Sequence, residues 1–161
     1  MPDNSTGAHP PLENFSELVA YIASGEKPRD CWRIGTEHEK FAYRRNDLGR
    51  LTYDGPQGIK AILEGLQAFG WQPIYEARKI IALSMDGASI SLEPGGQLEF
   101  SGAVVSDVHE AVAQLQQERA QLLEATRGVG IAWGGLGFHP ISPVDDISWA
   151  EKARYEVMRP Y

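Results

Sequence analysis

Cysteine is almost absent from this sequence, which has a single example, Cys31, among 161 residues. One cysteine cannot form an internal disulfide or a cysteine-based zinc cluster, and such usage is typical of a reducing compartment. No apolar run approaches the ~18 residues that a membrane-spanning helix requires, and residues 1–12 lack a basic segment followed by an apolar core. We therefore expect a cytoplasmic protein with no membrane partner.

Basic residues are also scarce in this chain. It has 15 Lys and Arg residues against 22 Asp and Glu residues, which gives a formal net charge of -7. Nucleic-acid binding requires a concentrated basic surface, and the sequence contains no such cluster. Nucleic acid is therefore not an expected partner. Because carboxylates are in surplus, some of them are available as metal ligands. Their positions in the sequence indicate which ones could bind a metal ion.

Internal repeats and low-complexity tracts are absent too, and the 42% hydrophobic content suits one medium-sized domain. Residues 1–12, rich in proline, asparagine and serine, predict a flexible lead-in. Residues 13–161 are then expected to form a single domain. Because Arg159-Pro160-Tyr161 ends in mid-pattern with no polar tail, we expect this domain to be truncated at its C-terminus.

Hydrophobic periodicity predicts the elements of an α+β domain. Helical spacing of apolar residues predicts helices at about 14–23, 59–69 and 106–127. Alternating or short apolar runs predict strands at about 32–43, 51–53, 71–75, 80–84, 88–92, 97–101 and 131–138. In the third helix, the predicted inward stripe consists of Val108, Val112, Leu115, Arg119 and Leu122. This order favours helices packed on one face of a mainly antiparallel sheet.

Two glutamates in the first predicted strand are candidate metal ligands. Glu37 and Glu39 are two residues apart, so both side chains project from one face with Cβ atoms ~7 Å apart, whereas His38 points the other way. A divalent cation can bridge that separation. An isolated Glu-x-Glu pair is more often a solvated strand face, so the pair alone does not establish a metal site.

A second polar row follows the turn Glu93-Pro94-Gly95-Gly96. Gln97 and Glu99 share one face of the next predicted strand, opposite the apolar pair Leu98 and Phe100. Two strands with carboxylate rows can face one cavity. Hard cations such as Mg²⁺ take carboxylate, water and phosphate oxygens, so glutamates without a cysteine or histidine cluster favour magnesium over zinc.

Four segments together resemble the plant and proteobacterial type of glutamate-cysteine ligase. They are Arg33–Phe41 (RIGTEHEKF), Gly87–Glu99 (GASISLEPGGQLE), Gly135–Phe138 (GLGF) and Arg154-Tyr155. The resemblance covers roughly Trp32 to Tyr161. It implies a carboxylate-amine ligase with a fold similar to glutamine synthetase, in which a curved, mainly antiparallel sheet forms an acid-lined funnel with helices on its outer face. Residues 13–161 would then be the N-terminal part of its catalytic domain.

The resemblance also implies an activity and a set of site residues. The activity is the ATP- and Mg²⁺-dependent ligation of the γ-carboxylate of L-glutamate to the amine of L-cysteine through an acyl phosphate, the first step of glutathione biosynthesis. Mapped onto this sequence, the implied metal ligands are Glu37, Glu39 and Glu99, the nucleotide-binding residues Glu93 and Gln97, and the substrate-proximal catalytic pair Arg154 and Tyr155. The fragment by itself is expected to be inactive.

The sequence departs from the family pattern at two places. Before Arg154 the family commonly has Met-Pro-Lys-Gly, whereas this chain has Ala150-Glu151-Lys152-Ala153. His139 stands where other members often carry Asp or Gln, and is either a ligand-side residue or a surface or capping histidine. Two other functions stay open: a related ligase that joins glutamate to another amine, and a non-catalytic interaction module on the same scaffold. Neither the acceptor amine nor the oligomeric state follows from these residues.

Overall fold

A computed structural model of the protein describes residues 11–147, 149 and 152–158. The chain divides into two compact units, Met1–Trp32 and Arg33–Tyr161. The first unit contains helix α1, Phe15–Ser24, and a 3₁₀ turn at Arg29–Cys31. This confirms the first predicted helix, while the predicted lead-in over residues 1–12 lies largely outside the described residues.

The described residues of the second unit form one antiparallel sheet with helices. The strands are β1 Glu37–Arg44, β2 Gln72–Glu76, β3 Lys79–Met85, β4 Ala88–Glu93, β5 Gln97–Ser101 and β6 Ile131–Gly134. The helices are α2 Ile59–Leu66, α3 Val108–Ala125 and α4 Ala153–Met158. The strand order is β2-β3-β4-β5-β1-β6. β1 therefore lies between β5 and β6, inside the sheet, although it comes first in the chain.

The hydrophobic core lies between one face of the sheet and the helices α2 and α3. Leu63, Leu66 and Leu122 supply the helical side and are at most 2% exposed. The sheet supplies alternate residues of its central strands, namely Leu83, Ile90, Leu92, Leu98 and Phe100. Burial of each such side chain contributes roughly 1.5–3 kcal/mol. Since strand side chains alternate, the residues between them project from the opposite face.

This arrangement confirms the predicted α+β class, with a mainly antiparallel sheet and helices packed against it. The four-strand meander is confirmed as β2 to β5 within two residues at each end. The second predicted helix is α2, continued by a 3₁₀ turn that ends at Gly70 with φ 100°. No helix in the described part of the chain is long and apolar enough to cross a membrane.

Three strand predictions were wrong in extent or existence. β1 begins at Glu37 rather than at residue 32, because Ile34 makes only an isolated bridge to Val105. Residues 51–53 form no strand, and the return of the chain is limited to one bridge between Arg50 and Tyr43. The last strand ends at residue 134 rather than 138, after which the chain leaves the ladder.

The predicted inward stripe of α3 was wrong at Val108, Val112 and Arg119, whereas its last member, Leu122, is buried. Val108 and Val112 are 59% and 46% exposed, and Arg119 is exposed as well. The buried residues of the helix are Ala111, Glu118 and Leu122. Apolar periodicity missed this face because a charged residue occupies its centre, and the carboxylate of Glu118 is buried beside the Lys40 ammonium at 2.9 Å.

Candidate active site

The register of three adjacent strands places the predicted acidic residues on one face of the sheet. Glu39 of β1 lies opposite Glu99 of β5, and Gln97 of β5 lies opposite Glu93 of β4. Opposite residues in an antiparallel pair have Cβ atoms about 4.5–5.5 Å apart and project to the same side. We call this surface the carboxylate face, and its members are Glu37, Glu39, Glu93, Gln97 and Glu99. It is the face turned away from the core.

A tight turn, Pro94–Gly96, joins β4 to β5 and fixes the position of Glu93 relative to Gln97. Gly95 has φ 81°, a left-handed conformation that favours glycine. A Cβ atom there would also lie 3.1 Å from a methyl carbon of Ile147 and 3.4 Å from the ring of Phe41. The glycine is therefore required both by the turn and by the close approach of neighbouring chain segments.

The three predicted metal ligands keep carboxylate oxygens that accept no hydrogen bond in the described part of the chain. Glu39 accepts a hydrogen bond at Oε2 from Gln97 Nε2 at 3.0 Å, and Glu99 accepts one at Oε1 from Ser101 Oγ at 3.0 Å. Glu37 is exposed and makes no side-chain hydrogen bond there. One oxygen on each of Glu39 and Glu99, and both on Glu37, remain available to a cation.

These carboxylates share a face without forming a closed metal site. Within residues 11–147, 149 and 152–158, no group of three or more His, Cys, Asp or Glu side chains is placed to hold a metal ion. Glu39 and Glu99 are cross-strand neighbours, whereas Glu37 lies opposite Ser101, two residues farther along the strand. The metal-binding role of the three glutamates therefore stays a prediction.

Glu93 binds the residues that precede and begin α4. Its Oε1 accepts hydrogen bonds from Arg154 Nη2 at 2.8 Å and from Lys152 Nζ at 3.4 Å. Its Oε2 accepts a short hydrogen bond from Tyr155 Oη, which itself accepts one from Arg154 Nη2 at 2.9 Å. The structure thus brings the predicted pair Arg154 and Tyr155 to the carboxylate face, and Glu93 is the residue that holds them.

Charge and burial shift the ionisation of this cluster. Burial raises the pKa of Glu93, but the hydrogen bond from Tyr155 and the charges of Lys152 and Arg154 outweigh it, so that its pKa is lowered. Burial and the hydrogen bond to Glu93 raise the pKa of Tyr155 to about 12. The pKa of Lys152 is lowered by burial, which its attraction to Glu93 only partly opposes. The phenol is therefore a neutral hydrogen-bond donor at physiological pH.

His139 packs at the edge of the carboxylate face, against Phe41 and Tyr43 of β1. Its ring centroid lies 5.5 Å and 5.1 Å from the centroids of those two rings, and it is 7% exposed. Nδ1 accepts a hydrogen bond from the Ser142 backbone N–H at 3.0 Å. Burial, together with the charge of Arg50, lowers the pKa of the imidazole. His139 is therefore a buried residue, and its surface alternative is wrong.

A family model described as glutamate-cysteine ligase family 2 (GCS2) matches residues 33–161. The chain belongs to this family. It is 43% identical over 146 residues to glutamate-cysteine ligase A, chloroplastic, of Oryza sativa subsp. japonica, covering 90% of this chain and 29% of that relative. For the chloroplastic glutamate-cysteine ligases of Arabidopsis thaliana and Brassica juncea, identity is 42% and 41%, with 90% of this chain and 27% and 28% of the relatives covered. The chain spans less than a third of these relatives.

The match to glutamate-cysteine ligase family 2 coincides with the second compact unit, since both begin at residue 33. It includes the whole carboxylate face and the residues that Glu93 holds. Helix α1 lies outside it.

Lys152 is the site residue that the sequence comparison with glutamate-cysteine ligases undervalued. It stands at the lysine of the Met-Pro-Lys-Gly pattern, although its neighbours in that pattern differ. Lys152 is 8% exposed, and its ammonium lies beside Glu93. The available indication was a lysine two residues before the Arg-Tyr pair, because residues so close in sequence at the start of α4 can reach one carboxylate together.

Proposed function

We propose that this chain provides the acidic, metal-binding face of an ATP- and Mg²⁺-dependent enzyme that joins the γ-carboxylate of L-glutamate to the amine of L-cysteine. This would be the first step of glutathione biosynthesis. Membership of glutamate-cysteine ligase family 2 supports the reaction class. The observation that carries the proposal is the register of β1 and β5, which sets Glu39 opposite Glu99 with Glu37 on the same face.

The chemistry of this face fits magnesium. Its available donors are carboxylate oxygens, which hard cations prefer, and three of its glutamates keep oxygens that accept no hydrogen bond among the described residues. Bound there by Glu37, Glu39 and Glu99, Mg²⁺ would offset the negative charge that gathers on the phosphate oxygens of ATP during transfer. Opposed like charges destabilise a strand pair, so a cation would also relieve the repulsion between Glu39 and Glu99.

The proposed reaction has two steps. First, an oxygen of the γ-carboxylate of glutamate attacks the terminal phosphorus of ATP, the bond from phosphorus to the ADP oxygen breaks, and an acyl phosphate forms. Second, the cysteine nitrogen attacks the acyl carbon and forms the amide bond. The bond from that carbon to the phosphate oxygen breaks, inorganic phosphate leaves with the electron pair, and the nitrogen loses a proton. Positioning and charge neutralisation supply most of the catalysis in such transfers.

Arg154 and Tyr155 are proposed to bind substrate from the side facing the glutamates. The side chain of Arg154 is 57% exposed. Its Nη2 donates hydrogen bonds to Glu93 and Tyr155. Its remaining N–H groups suit a substrate carboxylate or phosphate. The nucleotide-binding role predicted for Glu93 and Gln97 stays a prediction, and both side chains already have hydrogen-bond partners in the protein.

Phosphate release from ATP by the complete gene product tests this function. We expect release with glutamate and Mg²⁺ to depend on cysteine, and Glu39→Gln to reduce it at least about 100-fold, because a metal ligand is lost while the fold is kept. Glu64→Gln, an exposed substitution on α2, is the control and should keep full activity. Normal turnover of Glu39→Gln at saturating Mg²⁺ would refute the metal assignment, and no release with any amine would refute the ligase.

The acceptor amine and the location of the protein are proposals as well. Competition between cysteine and other amines in the same assay identifies the acceptor, and preference for another amine would establish the related glutamate-amine ligase instead.

A reducing compartment agrees with the single cysteine of the chain. The plant relatives named above are chloroplastic by their names.

A further inference from the structure

A cavity of about 380 Å³ lies at the edge of the sheet, between β6 and the second half of α3. Its volume is within the range of about 300–1,000 Å³ that is usual for small-molecule sites. None of its lining residues belongs to the carboxylate face. Lys40, the β1 residue in its lining, projects to the side of the sheet opposite Glu39. The cavity is therefore separate from the candidate active site and does not depend on the proposed function.

The apolar part of the lining is fixed by the fold. Leu122 and Ile131 are 2% and 5% exposed and also pack in the core. Trp133 adds an indole ring that is held in place, because its Nε1 donates a hydrogen bond to Thr126 Oγ1 at 3.2 Å. Leu123, which also lines the cavity, is exposed. An indole beside branched aliphatic side chains favours a ligand with an apolar body, above all an aromatic ring.

Three cationic side chains, Lys40, Arg45 and Arg119, line the same cavity, and none of the described residues that line it is acidic. The charge of Lys40 is already compensated, since its ammonium lies 2.9 Å from both carboxylate oxygens of Glu118. Arg45 and Arg119 form no ion pair with any described residue. In a chain of net charge -7, a cavity that keeps two uncompensated cations favours a negatively charged ligand.

Arg45 is held at the outer edge of β6 by the register of the strands. Its backbone N–H donates a hydrogen bond to the Gly130 carbonyl at 2.8 Å, and the antiparallel alternation then turns the polar backbone groups of Ile131 and Trp133 away from β1. Arg45 Nη2 donates a hydrogen bond to the Ile131 carbonyl at 3.2 Å. The guanidinium is therefore fixed beside the cavity, and its other N–H groups remain available to a ligand.

Arg119 supplies the second cation from the helix. It lies one turn before Leu122 and Leu123 on α3, so the three side chains share the side of the helix that lines the cavity. Its guanidinium donates no hydrogen bond to a described residue. Two guanidinium groups in one cavity repel each other, and an oxyanion bound between them would offset that repulsion while accepting hydrogen bonds from both.

We propose that this cavity binds a small organic anion, with an aromatic body against Trp133 and Leu122 and an oxyanion group between Arg45 and Arg119. A planar guanidinium donates two parallel hydrogen bonds to a carboxylate or to a phosphate, so both head groups satisfy the same chemistry. Glutamate and cysteine each carry a charged amine and lack an aromatic body. The ligand is therefore distinct from the amino acids of the proposed reaction.

Calorimetric titration of the complete gene product in Mg²⁺-free buffer tests the site with three probes of one shape: 2-naphthoate, 2-naphthyl phosphate and the neutral 2-naphthamide. We expect at least one of the two anions to bind about tenfold or more tightly than the amide, and the comparison of the anions identifies the head group. Arg45→Gln and Arg119→Gln should each weaken that anion about tenfold and leave the amide unchanged. Leu123→Trp reduces the volume of the cavity and should weaken every probe.

Two arginines elsewhere in the chain are the matched controls. Arg78→Gln changes an exposed arginine in the turn between β2 and β3, and Arg154→Gln changes the arginine at the carboxylate face, which is 57% exposed. Both variants should bind the anion as the wild type does. Excess ATP should not displace the anion, because the proposed metal site lies on the other face of the sheet.

Three results would overturn this proposal. It is wrong if neither anion binds the wild type more tightly than the amide does, which is also the result expected if the rest of the gene product covers the cavity. It is wrong if Arg45→Gln and Arg119→Gln bind the anion as the wild type does, and a loss in Arg154→Gln instead would place the anion at the carboxylate face. Displacement by ATP would contradict it as well. Cysteine-dependent phosphate release is a separate measurement, so each of these results leaves the proposed function intact.

Discussion

Glu93 connects the sheet to the cationic segment at α4. Three donors share its two oxygens: Lys152, Arg154 and Tyr155. Hydrogen bonds to a charged acceptor are worth about 1.5–3 kcal/mol, and removing the acceptor leaves buried donors without a partner. Lys152, at 8% exposed, would suffer this loss more than the exposed Arg154. Glu93 is accordingly an anchoring residue for Arg154 and Tyr155.

The lowered pKa of Glu93 predicts how stability depends on acidity. A carboxyl whose pKa is lower in the folded state stabilises the fold above its unfolded value of 4.5, and this contribution is lost as pH falls through the folded pKa. Glu93→Gln removes that contribution. We expect the wild type to have the higher Tm at neutral pH and the difference to shrink below about pH 4.5. A difference in Tm that stays constant across the acid range would contradict the assignment.

The residues of this cluster show what sequence can and cannot supply. Arg154, Tyr155 and Glu93 were each indicated by motif resemblance, but nothing in the chain states that Glu93 would hold the other two. That contact joins residues about sixty positions apart, so it depends on the tertiary fold rather than on the local sequence. Lys152 was missed for the same reason. Its partner is set by the fold, whereas its local sequence only showed a departure from a pattern.

Strand β1 carries charged side chains on both faces of the sheet. Glu39 projects to the carboxylate face, while the next residue, Lys40, projects to the helices and contacts both oxygens of Glu118 on α3 at 2.9 Å. The side chains of Lys40 and Glu118 are 14% and 2% exposed. The ion pair therefore fixes the strand that carries Glu37 and Glu39 against a helix of the core.

Breaking this pair from one side should be costly. Glu118→Leu leaves a buried ammonium without a counter-ion, and we expect a loss of about 3–5 kcal/mol in the free energy of unfolding. The double variant Lys40→Met with Glu118→Leu should recover to within about 1 kcal/mol of the wild type, because apolar groups then fill the site. Urea unfolding measures both variants. Equal losses in the single and double variants would show that packing, not charge, determines the cost.

The burial pattern of α3 gives a second test at the same helix. Leu122 is 2% exposed in the core, whereas Val112 is 46% exposed. Leu122→Ala should cost about 2–5 kcal/mol because it opens a cavity, and Val112→Ala should change the free energy of unfolding by less than about 0.5 kcal/mol. If the two substitutions lowered the free energy of unfolding by comparable amounts, Val112 would face the core, as apolar periodicity predicted.

The elements differ in how far the sequence determines them. β2 to β5 were predictable because short apolar runs separated by glycine and charged turns define a meander locally. α2 was predictable because its apolar spacing is uninterrupted and Gly70 ends it. The strand expected at 51–53 was not realised because Leu51 is buried by packing in the core rather than by pairing in a ladder. The inner face of α3 depended on Lys40, a distant residue.

At the scale of the whole molecule, the two faces of the sheet differ: one is apolar and the other carries the acidic side chains. Its apolar face and two helices provide the stability, and its carboxylate face keeps acidic side chains together at some cost, since Glu39 and Glu99 repel each other across the strands. Sites that bind ligands are often held in such locally unfavourable arrangements by the rest of the fold. The resemblance to the glutamine-synthetase fold stays a prediction, whereas the family and the antiparallel sheet are established.

The most direct test of this account is the binding of Mn²⁺, a spectroscopic substitute for Mg²⁺, to the complete gene product. Electron paramagnetic resonance distinguishes free from bound Mn²⁺, and it does so without requiring turnover. The account predicts that Glu39→Gln and Glu99→Gln each weaken Mn²⁺ binding at least about tenfold, while the exposed control Glu64→Gln binds as the wild type does. Unchanged Mn²⁺ affinity in both variants would contradict the claim that the carboxylate face is the metal site.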